Sequence, residues 1–470
     1  MPIRKRRNCC SLITKSDLPL TPMNMLLRLL LALCAMLVAS SAWGQQSSVP
    51  GSSSASFATT EARCLGFELF MVPVPAYGID EPFLLYRPTR PVDPKAVPLL
   101  VVNRRFGVSA LDVENTLFPE VACLRDWYVV SVQATNPFGL IPGANVSQNN
   151  YGSADSQECA RAGIEFVIDN FPIDKKRIYG VGFSMGSAQC LSYAARHQDP
   201  DRGMFAALVN HTGSIDQADT YLSDPNSRES LENTMTGSPS SFPFAYRRSS
   251  MIEIDPVSGQ LINNDVAFVH NLLQTPTQVW MATQDPWAYL TNQTNLVADF
   301  LTQQPSAQFD LQVVPSSTHE WFTINFSNCV SFLEQHSLVI PSERRIVADR
   351  DGRWIYFDIS GIPADTFARL DYQIDLDNDL FSISEGQSFN RIETDLARWN
   401  DGLTHTLPLT ANLDFAQGGV ELVLTSVEGV PMAVSRDGTP MTAGWSYDPA
   451  TQTLAITDPD PGAHTWEFLP

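Results

Sequence analysis

A pentapeptide with glycine, serine and glycine at alternate positions constrains this chain more than any other feature. "GFSMG" (182–186) ends the apolar run 177–183 and precedes the helix-like stretch "SAQCLSYAARH" (187–197). Glycine weakens strands and helices alike, so two glycines at this junction indicate that the backbone needs the space. A sharp strand–turn–helix that exposes a strained serine, here Ser184, has that need, because a Cβ on either flank would meet the neighbouring element.

Short apolar runs alternate with amphipathic segments over residues 61–340, and the alternation predicts an α/β fold with a mostly parallel sheet and helices on both faces. The predicted strands are 98–102, 127–133, 177–183, 205–210, 277–283 and 309–314. Residues 212–276 interrupt the pattern for longer than a usual connection. We interpret this insertion as a cap over the sheet edge, with a surface excursion of no function as the alternative.

The pattern changes after residue 340. Segments of 341–470 alternate apolar and polar residues, are separated by Gly, Pro, Asn and Asp, and show no long helical period. They predict a C-terminal all-β, sandwich-like domain. Its many Trp and Tyr residues are compatible with a polymer- or sugar-binding face, although packing within the sheets is the more common role of such aromatics.

The N-terminus has the pattern of an export signal. Basic residues precede an apolar run, Leu26 to Val38, that is short for a membrane span and is followed by the small residues Ala42 and Gly44. Residues 1–44 are therefore predicted to be a signal peptide, with a retained anchor as the alternative, and 45–60 a Ser-rich flexible leader. We expect a secreted protein, extracellular or periplasmic, with no membrane span after signal cleavage.

The composition of the chain limits the kinds of molecule that it is expected to bind. With 44% hydrophobic and 17% charged residues the chain is globular, and its net charge of −21 argues against nucleic-acid binding, which needs a basic face. The five cysteines after residue 44 are Cys64, Cys123, Cys159, Cys190 and Cys329. No CxxC or Cys/His spacing suggests a metal site.

A serine hydroxyl becomes a nucleophile only when a base takes its proton, and two polar residues at later strand ends suit the remaining roles. Asp285 follows the strand 277–283, and His319 follows the strand 309–314. In the chain order Ser, acid, His, we predict Ser184 as nucleophile, Asp285 as acid and His319 as base. His211 is the alternative base and Asp216 the alternative acid, because each follows another predicted strand.

The segments around these residues resemble the α/β-hydrolases. "RIYGVGFSMGSAQCLSYAARH", "TPTQVWMATQDPW" and "SSTHEWF" are most similar to secreted esterases of the polyhydroxybutyrate-depolymerase and feruloyl-esterase kind and to the catalytic domain of prolyl-oligopeptidase-type peptidases. The resemblance covers about residues 82–338. It implies ester or peptide hydrolysis through an acyl-serine, with Ser184, Asp285 and His319 as the triad, and implies no metal or organic cofactor.

One departure from the family concerns the oxyanion hole. Such proteins usually carry His-Gly after the strand that corresponds to 98–102, whereas this chain has "NRRFG" (103–107). The family pattern assigns one oxyanion donor to the backbone N–H of Met185. We expect the second from Arg105 or Phe106.

Three further residues are predicted to contact substrate. Arg104 suits a carboxylate on the substrate because of its forked donors, and a structural ion pair is the alternative. Trp287 and Trp321 flank the acid and the base, so each is a candidate pocket wall, with packing beneath the loops as the alternative.

The family fold also suggests disulfides. It places Cys159 and Cys190 on helices that share one face of the sheet, and Cys123 and Cys329 on helices that share the other, so both pairs are hypothetical disulfides. The function expected overall is that of a secreted serine esterase whose substrate is a small or polymeric ester. A prolyl-oligopeptidase-like peptidase and a non-catalytic secreted binding protein derived from a hydrolase are the alternatives, and the oligomeric state stays open.

Overall fold

The computed structural model describes residues 64–88, 96–135 and 150–470. The predicted signal peptide and leader lie outside the described residues. Within the described ranges, no helix is both long enough and apolar enough to cross a membrane.

An eight-stranded sheet organises the first part of the chain. Its strands are β1 (Cys64–Val74), β2 (Ile79–Pro88), β3 (Val97–Asn103), β4 (Tyr128–Val132), β5 (Ile173–Ser184), β6 (Ala207–Gly213), β7 (Thr277–Ala282) and β8 (Phe309–Val314). The spatial order is β1-β2-β4-β3-β5-β6-β7-β8. β2 pairs antiparallel with β1 and β4, and from β4 to β8 all neighbours are parallel. The carboxyl ends of β3 and β5–β8 therefore meet at one edge.

Helices follow most of these strands. They are α1 (Phe118–Cys123), α2 (Ala154–Asn170), α3 (Met185–Arg196), α4 (Gln217–Ser223), α5 (Arg228–Met235), α6 (Pro243–Arg247), α7 (Ala288–Thr302) and α8 (Phe326–Leu333). Short 3₁₀ turns cover Ala110–Asn115, Phe268–Leu272 and Trp321–Thr323. The predicted strand–helix alternation is present, and the terminal strands β1 and β2 extend it.

The sheet is buried on both faces because its strands are apolar at consecutive positions. Along β3, Leu99 and Val101 join one core cluster, whereas Leu100 and Val102 join the cluster on the opposite face. All four side chains are fully buried or nearly so. Successive strand residues point to opposite faces, so a continuous apolar run fits a sheet that is covered on both sides.

The long insertion contains helices α4, α5 and α6. Leu231, Met235 and Tyr246 from this insertion form a buried cluster with Tyr151 and Met185. Met185 directly follows Ser184, so the insertion packs against the start of α3. Its role as a cap stays a prediction.

The C-terminal part is all-β, and the predicted fold class is confirmed. The strands are β9 (Glu343–Ala348), β10 (Gly352–Trp354), β11 (Phe357–Ser360), β12 (Ala368–Asp375), β13 (Leu380–Gln387), β14 (Arg391–Asp395), β15 (His405–Thr406), β16 (Leu409–Phe415), β17 (Val420–Thr425), β18 (Val427–Glu428), β19 (Ala433–Arg436), β20 (Thr439–Pro440), β21 (Trp445–Asp448), β22 (Thr453–Asp458) and β23 (Gly462–Leu469). A six-stranded sheet has the order β10-β11-β14-β17-β22-β21, a seven-stranded sheet has the order β20-β19-β23-β16-β13-β12-β9, and β15 pairs with β18. The domain boundaries drawn from sequence stay predictions.

Aromatic side chains of this β region belong mainly to its core. Trp354 and Trp466 are buried. Trp399 packs edge-on against Tyr356 and Tyr372, with ring centroids 4.9 and 5.3 Å away. These rings therefore hold the sheets together, which favours the packing interpretation of the sequence over a continuous sugar-binding face.

A buried ion cluster joins the two parts. Arg196 at the end of α3 is fully buried and contacts Asp349, which follows β9, at 2.9 Å. Arg248, in the turn after α6, contacts the same carboxylate at 2.8 Å. The helix that begins beside Ser184 is thus anchored at its other end to the β region.

Both hypothetical disulfides are wrong. Cys159, Cys190 and Cys329 are free and buried, and each hypothetical pair contains at least one of them. Burial raises the pKa of the Cys190 thiol, so this side chain behaves as a small apolar group in the core.

Candidate active site

The strand–helix junction at Ser184 has the strained geometry that the sequence predicts. β5 ends at Ser184, α3 begins at Met185, and Ser184 has φ 57° and ψ −123°. A non-glycine residue rarely adopts such a positive φ, and it persists only where the surrounding packing holds it. The turn brings Ser184 to the carboxyl edge of the sheet, where catalytic groups of such folds lie.

The flanking glycines are there because the neighbouring backbone leaves no room. A Cβ at Gly182 would lie 2.3 Å from the carbonyl oxygen of Gly186, and a Cβ at Gly186 would lie 2.4 Å from that of Asn103. Real Cβ atoms do not approach backbone oxygens so closely. The spatial reason given for the two glycines from sequence is therefore confirmed.

Asp285 and His319 come together at this edge. Asp285 follows β7 and His319 follows β8, and Asp285 Oδ2 lies 2.6 Å from His319 Nδ1. The Asp285 side chain is fully buried and that of His319 is 8% exposed. Trp287 N–H donates to Asp285 Oδ1 at 2.9 Å, so the carboxylate is held in place on both oxygens.

Two aromatic rings hold His319 beside the serine turn. The centroid of its imidazole lies 4.5 Å from that of Phe183 and 4.5 Å from that of Trp287. Phe183 directly precedes Ser184. The imidazole therefore packs on the residue next to the strained serine, with its Nδ1 occupied by Asp285 and Nε2 left for other chemistry.

The alternative base and acid have other roles. Both ring nitrogens of His211 face backbone carbonyls, Nε2 at 3.0 Å from Glu320 O and Nδ1 at 3.3 Å from Trp280 O. Burial lowers the pKa of His211 to about 4. Asp216 caps α4 by accepting the N–H of Ala218 at 2.8 Å. Neither side chain is free to complete a triad.

The prediction that Arg104 contacts substrate is wrong. The side chain is buried, its Nε donates to Gln133 O at 2.8 Å, and one terminal nitrogen donates to Val108 O at 2.9 Å. Burial lowers the pKa of Arg104 to about 10. Two of its nitrogens support the loops behind the site by binding backbone carbonyls, and the third is buried without a hydrogen-bond partner, so the fork is not open to a substrate carboxylate.

The prediction that Arg105 is an oxyanion donor is also wrong. Its backbone N–H donates to Asp112 Oδ2 at 3.2 Å, and its Nε donates to Asp112 Oδ1 at 3.0 Å. An N–H that already has an acceptor does not point into the site. Phe106, 45% exposed, stays the predicted donor from this loop.

Met185 stays the predicted first donor. Met185 is the first residue of α3, so its N–H has no acceptor within the helix. The positive end of the helix dipole adds to the pull on a developing negative charge. The position thus suits the role that the family pattern implies.

The two tryptophans that flank the acid and base differ. Trp321 is buried, lies 5.0 Å from Phe183 by ring centroids, and donates from Nε1 to Asp112 Oδ2 at 2.9 Å. It packs beneath the loop, so the prediction of a pocket wall is wrong for Trp321. Trp287 is 43% exposed beside His319, and its role as a wall stays a prediction.

Sequence reasoning missed Asp112 and the supporting role of His211. His211 stacks on Phe183 at 4.4 Å, beneath the ring that carries His319. No local pattern marks either residue, because the sequence does not show that Trp321 reaches Asp112 or that Phe183 stacks on His211. In the described part of the chain no cluster of three or more His, Cys, Asp or Glu side chains is arranged to hold a metal ion.

The sheet order and the strained serine turn between β5 and α3 define an α/β-hydrolase fold. No protein-family model matches the chain, and no curated protein matches it either. Solved structures show weak overall similarity to this chain.

One of these structures is a putative dipeptidyl aminopeptidase IV from Bacteroides ovatus, with a TM-score of 0.43 at 15% identity over 58% of this chain and 36% of that chain. Another is an S-formylglutathione hydrolase from Agrobacterium tumefaciens, with a TM-score of 0.43 at 11% identity over 58% of this chain and 99% of that chain. A hyperthermophilic esterase from Pyrobaculum calidifontis gives a TM-score of 0.37 at 17% identity, with 57% of this chain and 85% of that chain covered. The chain spans only about a third of the peptidase, against nearly all of the S-formylglutathione hydrolase.

Proposed function

We propose that this protein is a secreted serine hydrolase that cleaves carboxylic esters through an acyl-serine. The observation that carries the proposal is the 2.6 Å contact between Asp285 and His319, on an imidazole that packs against the neighbour of Ser184. The chain order of Ser184, Asp285 and His319, which come from distant parts of the sequence, is that of this fold and supports the proposal.

In acylation, His319 Nε2 takes the proton from Ser184 Oγ while Oγ bonds to the ester carbonyl carbon. Asp285 accepts Nδ1–H, which fixes the tautomer with Nε2 as acceptor and stabilises the imidazolium that forms. The N–H of Met185 donates to the oxyanion. When the tetrahedral intermediate collapses, the bond from carbon to the leaving alkoxy oxygen breaks and His319 returns the proton to the alcohol.

In deacylation, water repeats the sequence on the acyl-serine. His319 takes a proton from water as the water oxygen bonds to the acyl carbon, and the same N–H holds the second oxyanion. The bond from carbon to Ser184 Oγ then breaks, and His319 returns the proton to that oxygen. The acid product leaves and the starting enzyme is restored.

The substrate proposed is an ester that is reached from solvent, including a polymeric one. Phe106 and Trp287 are each nearly half exposed, and Trp287 contacts His319. These two rings offer apolar surface to an acyl or alcohol group beside the site. The insertion that packs against Met185 supports its proposed role as a cap.

Export is proposed from the N-terminal sequence pattern alone. Purification of the protein from a culture in its natural host should give a chain that begins after residue 44. N-terminal sequencing and intact mass measure this directly, and a chain that retains residues 1–44 in the cell would contradict it.

A fluorophosphonate probe tests the chemistry. The wild type should be labelled, and peptide mass mapping should place the label on Ser184. Ser184→Ala should lose the label and reduce kcat on a p-nitrophenyl ester by about 10⁴-fold or more. Ser187→Ala is the matched control, because this serine lies three residues further in α3 and should leave labelling unchanged.

An unlabelled wild type would contradict the hydrolase proposal and favour a binding protein. A panel of short and long p-nitrophenyl esters beside aminoacyl p-nitroanilides then separates an esterase from a peptidase of the same fold. Cleavage of the anilides with kcat/KM equal to or above that of the esters would overturn the esterase assignment while keeping the acyl-serine.

A further inference from the structure

The side chain of Asp112 occupies a place where only an acceptor without protons fits. It belongs to the 3₁₀ turn Ala110–Asn115 and is fully buried. Oδ1 accepts from Arg105 Nε at 3.0 Å and from Asn115 Nδ2 at 3.3 Å. Oδ2 accepts from the Arg105 backbone N–H at 3.2 Å and from Trp321 Nε1 at 2.9 Å.

Four donors therefore converge on one carboxylate, which matches the acceptor capacity of an ionised acid. An asparagine in the same place would present an NH₂ group to at least one of these donors. Arg105 supplies the compensating charge, and its NH1 also lies 3.5 Å from Glu320 Oε2. This arrangement is specific to a carboxylate, in contrast to a buried polar group that merely fills space.

The first partner of Asp112 is the loop that follows β3. The carbonyl oxygens of Asn103 and Arg104 in this loop lie against Gly186, one residue beyond Met185. Because Asp112 binds both the peptide N–H and the side chain of Arg105, it sets the orientation of that peptide. Each residue has two soft backbone torsions, so fixing this peptide limits where the next N–H, that of Phe106, can point.

The second partner is the loop that carries His319. Trp321 lies two residues after His319 and packs on Phe183, the ring that also contacts His319. The hydrogen bond from Trp321 to Asp112 closes a link between positions 209 residues apart. Asp112 thus hydrogen-bonds to two loops that lie far apart in the sequence and meet at this edge of the sheet.

We propose that Asp112 is a positioning residue that holds the loop after β3 in register with the loop of His319. The proposal rests on the proposed function, because the two loops carry the second oxyanion donor and the base. Misplacing such groups by about 1 Å can cost on the order of a hundredfold in rate. Asp112 itself touches neither substrate nor the reacting atoms.

The test is Asp112→Asn in the full chain, with p-nitrophenyl acetate as substrate and the fluorophosphonate as active-site titrant. We expect kcat per titrated site to fall roughly 30- to 100-fold, with KM changed less than about threefold, because the loss concerns alignment and not binding. Glu114→Gln is the matched control. Glu114 lies in the same 3₁₀ turn but pairs with Tyr86, so its kcat should stay within about twofold.

A second variant keeps the test decisive if Asp112→Asn does not fold. Trp321→Phe keeps an aromatic ring at this buried position, removes the donor to Asp112 and leaves a small cavity, and it should lower kcat per titrated site roughly 5- to 10-fold. Where Asp112→Asn folds, the double variant should lose less activity than the product of the two single fold-losses, because both substitutions break one link. A loss equal to that product would show that Trp321 acts independently of Asp112 and would overturn the link.

The outcomes separate this proposal from the hydrolase proposal. A wild type that the probe does not label contradicts the proposed function itself. A labelled wild type with a folded Asp112→Asn variant of undiminished kcat overturns only the positioning role. Loss of unfolding stability with unchanged kcat per titrated site would show that Asp112 is structural and nothing more.

Discussion

The α/β part and the β part of this chain use similar side chains for different ends. In the α/β part, aromatic rings and buried charges cluster at one edge of the sheet, where Phe183 and Trp287 hold His319 and Asp112 holds two loops. In the β part, Trp354 and Trp466 fill the core. The type of a residue therefore does not indicate its role in this protein. Its position relative to the carboxyl edge of the eight-stranded sheet does.

The largest effect is expected where the two parts meet. Asp349→Asn would leave Arg196 buried without its charge partner and should lower the free energy of unfolding by about 3–5 kcal/mol. Burial alone would favour the protonated acid, but Arg196 and Arg248 hold the pKa of Asp349 below its ordinary value. Urea titration measures the loss.

The control for this prediction is an exposed ion pair within the β part. Asp358 pairs with Arg353 at the surface, where its side chain is 45% exposed, and Asp358→Asn should change stability by less than about 1 kcal/mol. Equal losses for the two variants would show that the junction between the parts contributes no special stability. A change in kcat for Asp349→Asn alone would show that the β part also positions α3.

Two glycines, one in each part of the molecule, are predicted to differ in what their substitution changes. At each of them a Cβ would meet a backbone oxygen. The distance would be 2.4 Å to Asn103 O for Gly186 and 2.2 Å to Pro459 O for Gly418 in the β part. Gly186→Ala should lower kcat by about a hundredfold or more, because the loop after β3, which is proposed to supply an oxyanion donor, must shift. Gly418→Ala should lower the melting temperature and leave kcat per folded molecule unchanged. Similar kinetic losses would contradict the division of roles.

The third prediction concerns pH. The pKa of His211 is about 4 in the fold because of burial, and an unfolded histidine titrates near 6.5. The unfolded chain therefore binds more protons between these values, so this contribution to stability is complete above about pH 6.5 and is lost as pH falls toward 4. It amounts to roughly 2 kcal/mol between pH 7.5 and 4.5.

His211→Phe removes that titration. The variant starts less stable, because the carbonyl that accepts the single N–H of the neutral imidazole loses its donor. The difference between its unfolding free energies at pH 7.5 and 4.5 should nevertheless be smaller than in the wild type by that amount. Urea titrations at the two pH values give both differences. Identical pH dependence in the two proteins would show that His211 is not buried in its neutral form.

The smallest effect separates two tryptophans. Trp287→Phe, at the exposed edge, should raise KM for a p-nitrophenyl ester about threefold with no change in stability. Trp399→Phe removes the hydrogen bond from Nε1 to Thr394 Oγ1 at 2.9 Å, and should cost about 1 kcal/mol of stability with KM unchanged. Steady-state kinetics and thermal unfolding give KM and stability for both variants. A loss of stability in Trp287→Phe together with a raised KM in Trp399→Phe would contradict the comparison.

Much of the fold was predictable because its signals are local. Apolar runs such as 98–102 mark strands buried on both faces, and the structure places β3 at 97–103. The loss of helical period after residue 340 likewise marked the all-β part. Asp285 and His319 followed from their places after strands, because parallel strands bring their carboxyl ends to one edge.

The wrong predictions all concern which partner a side chain meets. Arg104, Arg105 and Trp321 lie near the site in sequence, but the first two bind carbonyls and Asp112, and the third is buried beneath the loop. The cysteine pairs failed for the same reason, since a shared sheet face does not bring two thiols into bonding distance.

The sequence alone determined the strained serine turn, because two glycines and a serine between strand and helix leave few backbone conformations. It also determined the alternation that builds the sheet, because hydrophobic periodicity acts over a few residues. Only the tertiary structure decided that Asp112 takes the N–H of Arg105 and that His211 supports Phe183. Even the bond between Arg105 and Asp112, which spans only 7 positions, forms only once packing has brought the donor and the acceptor together.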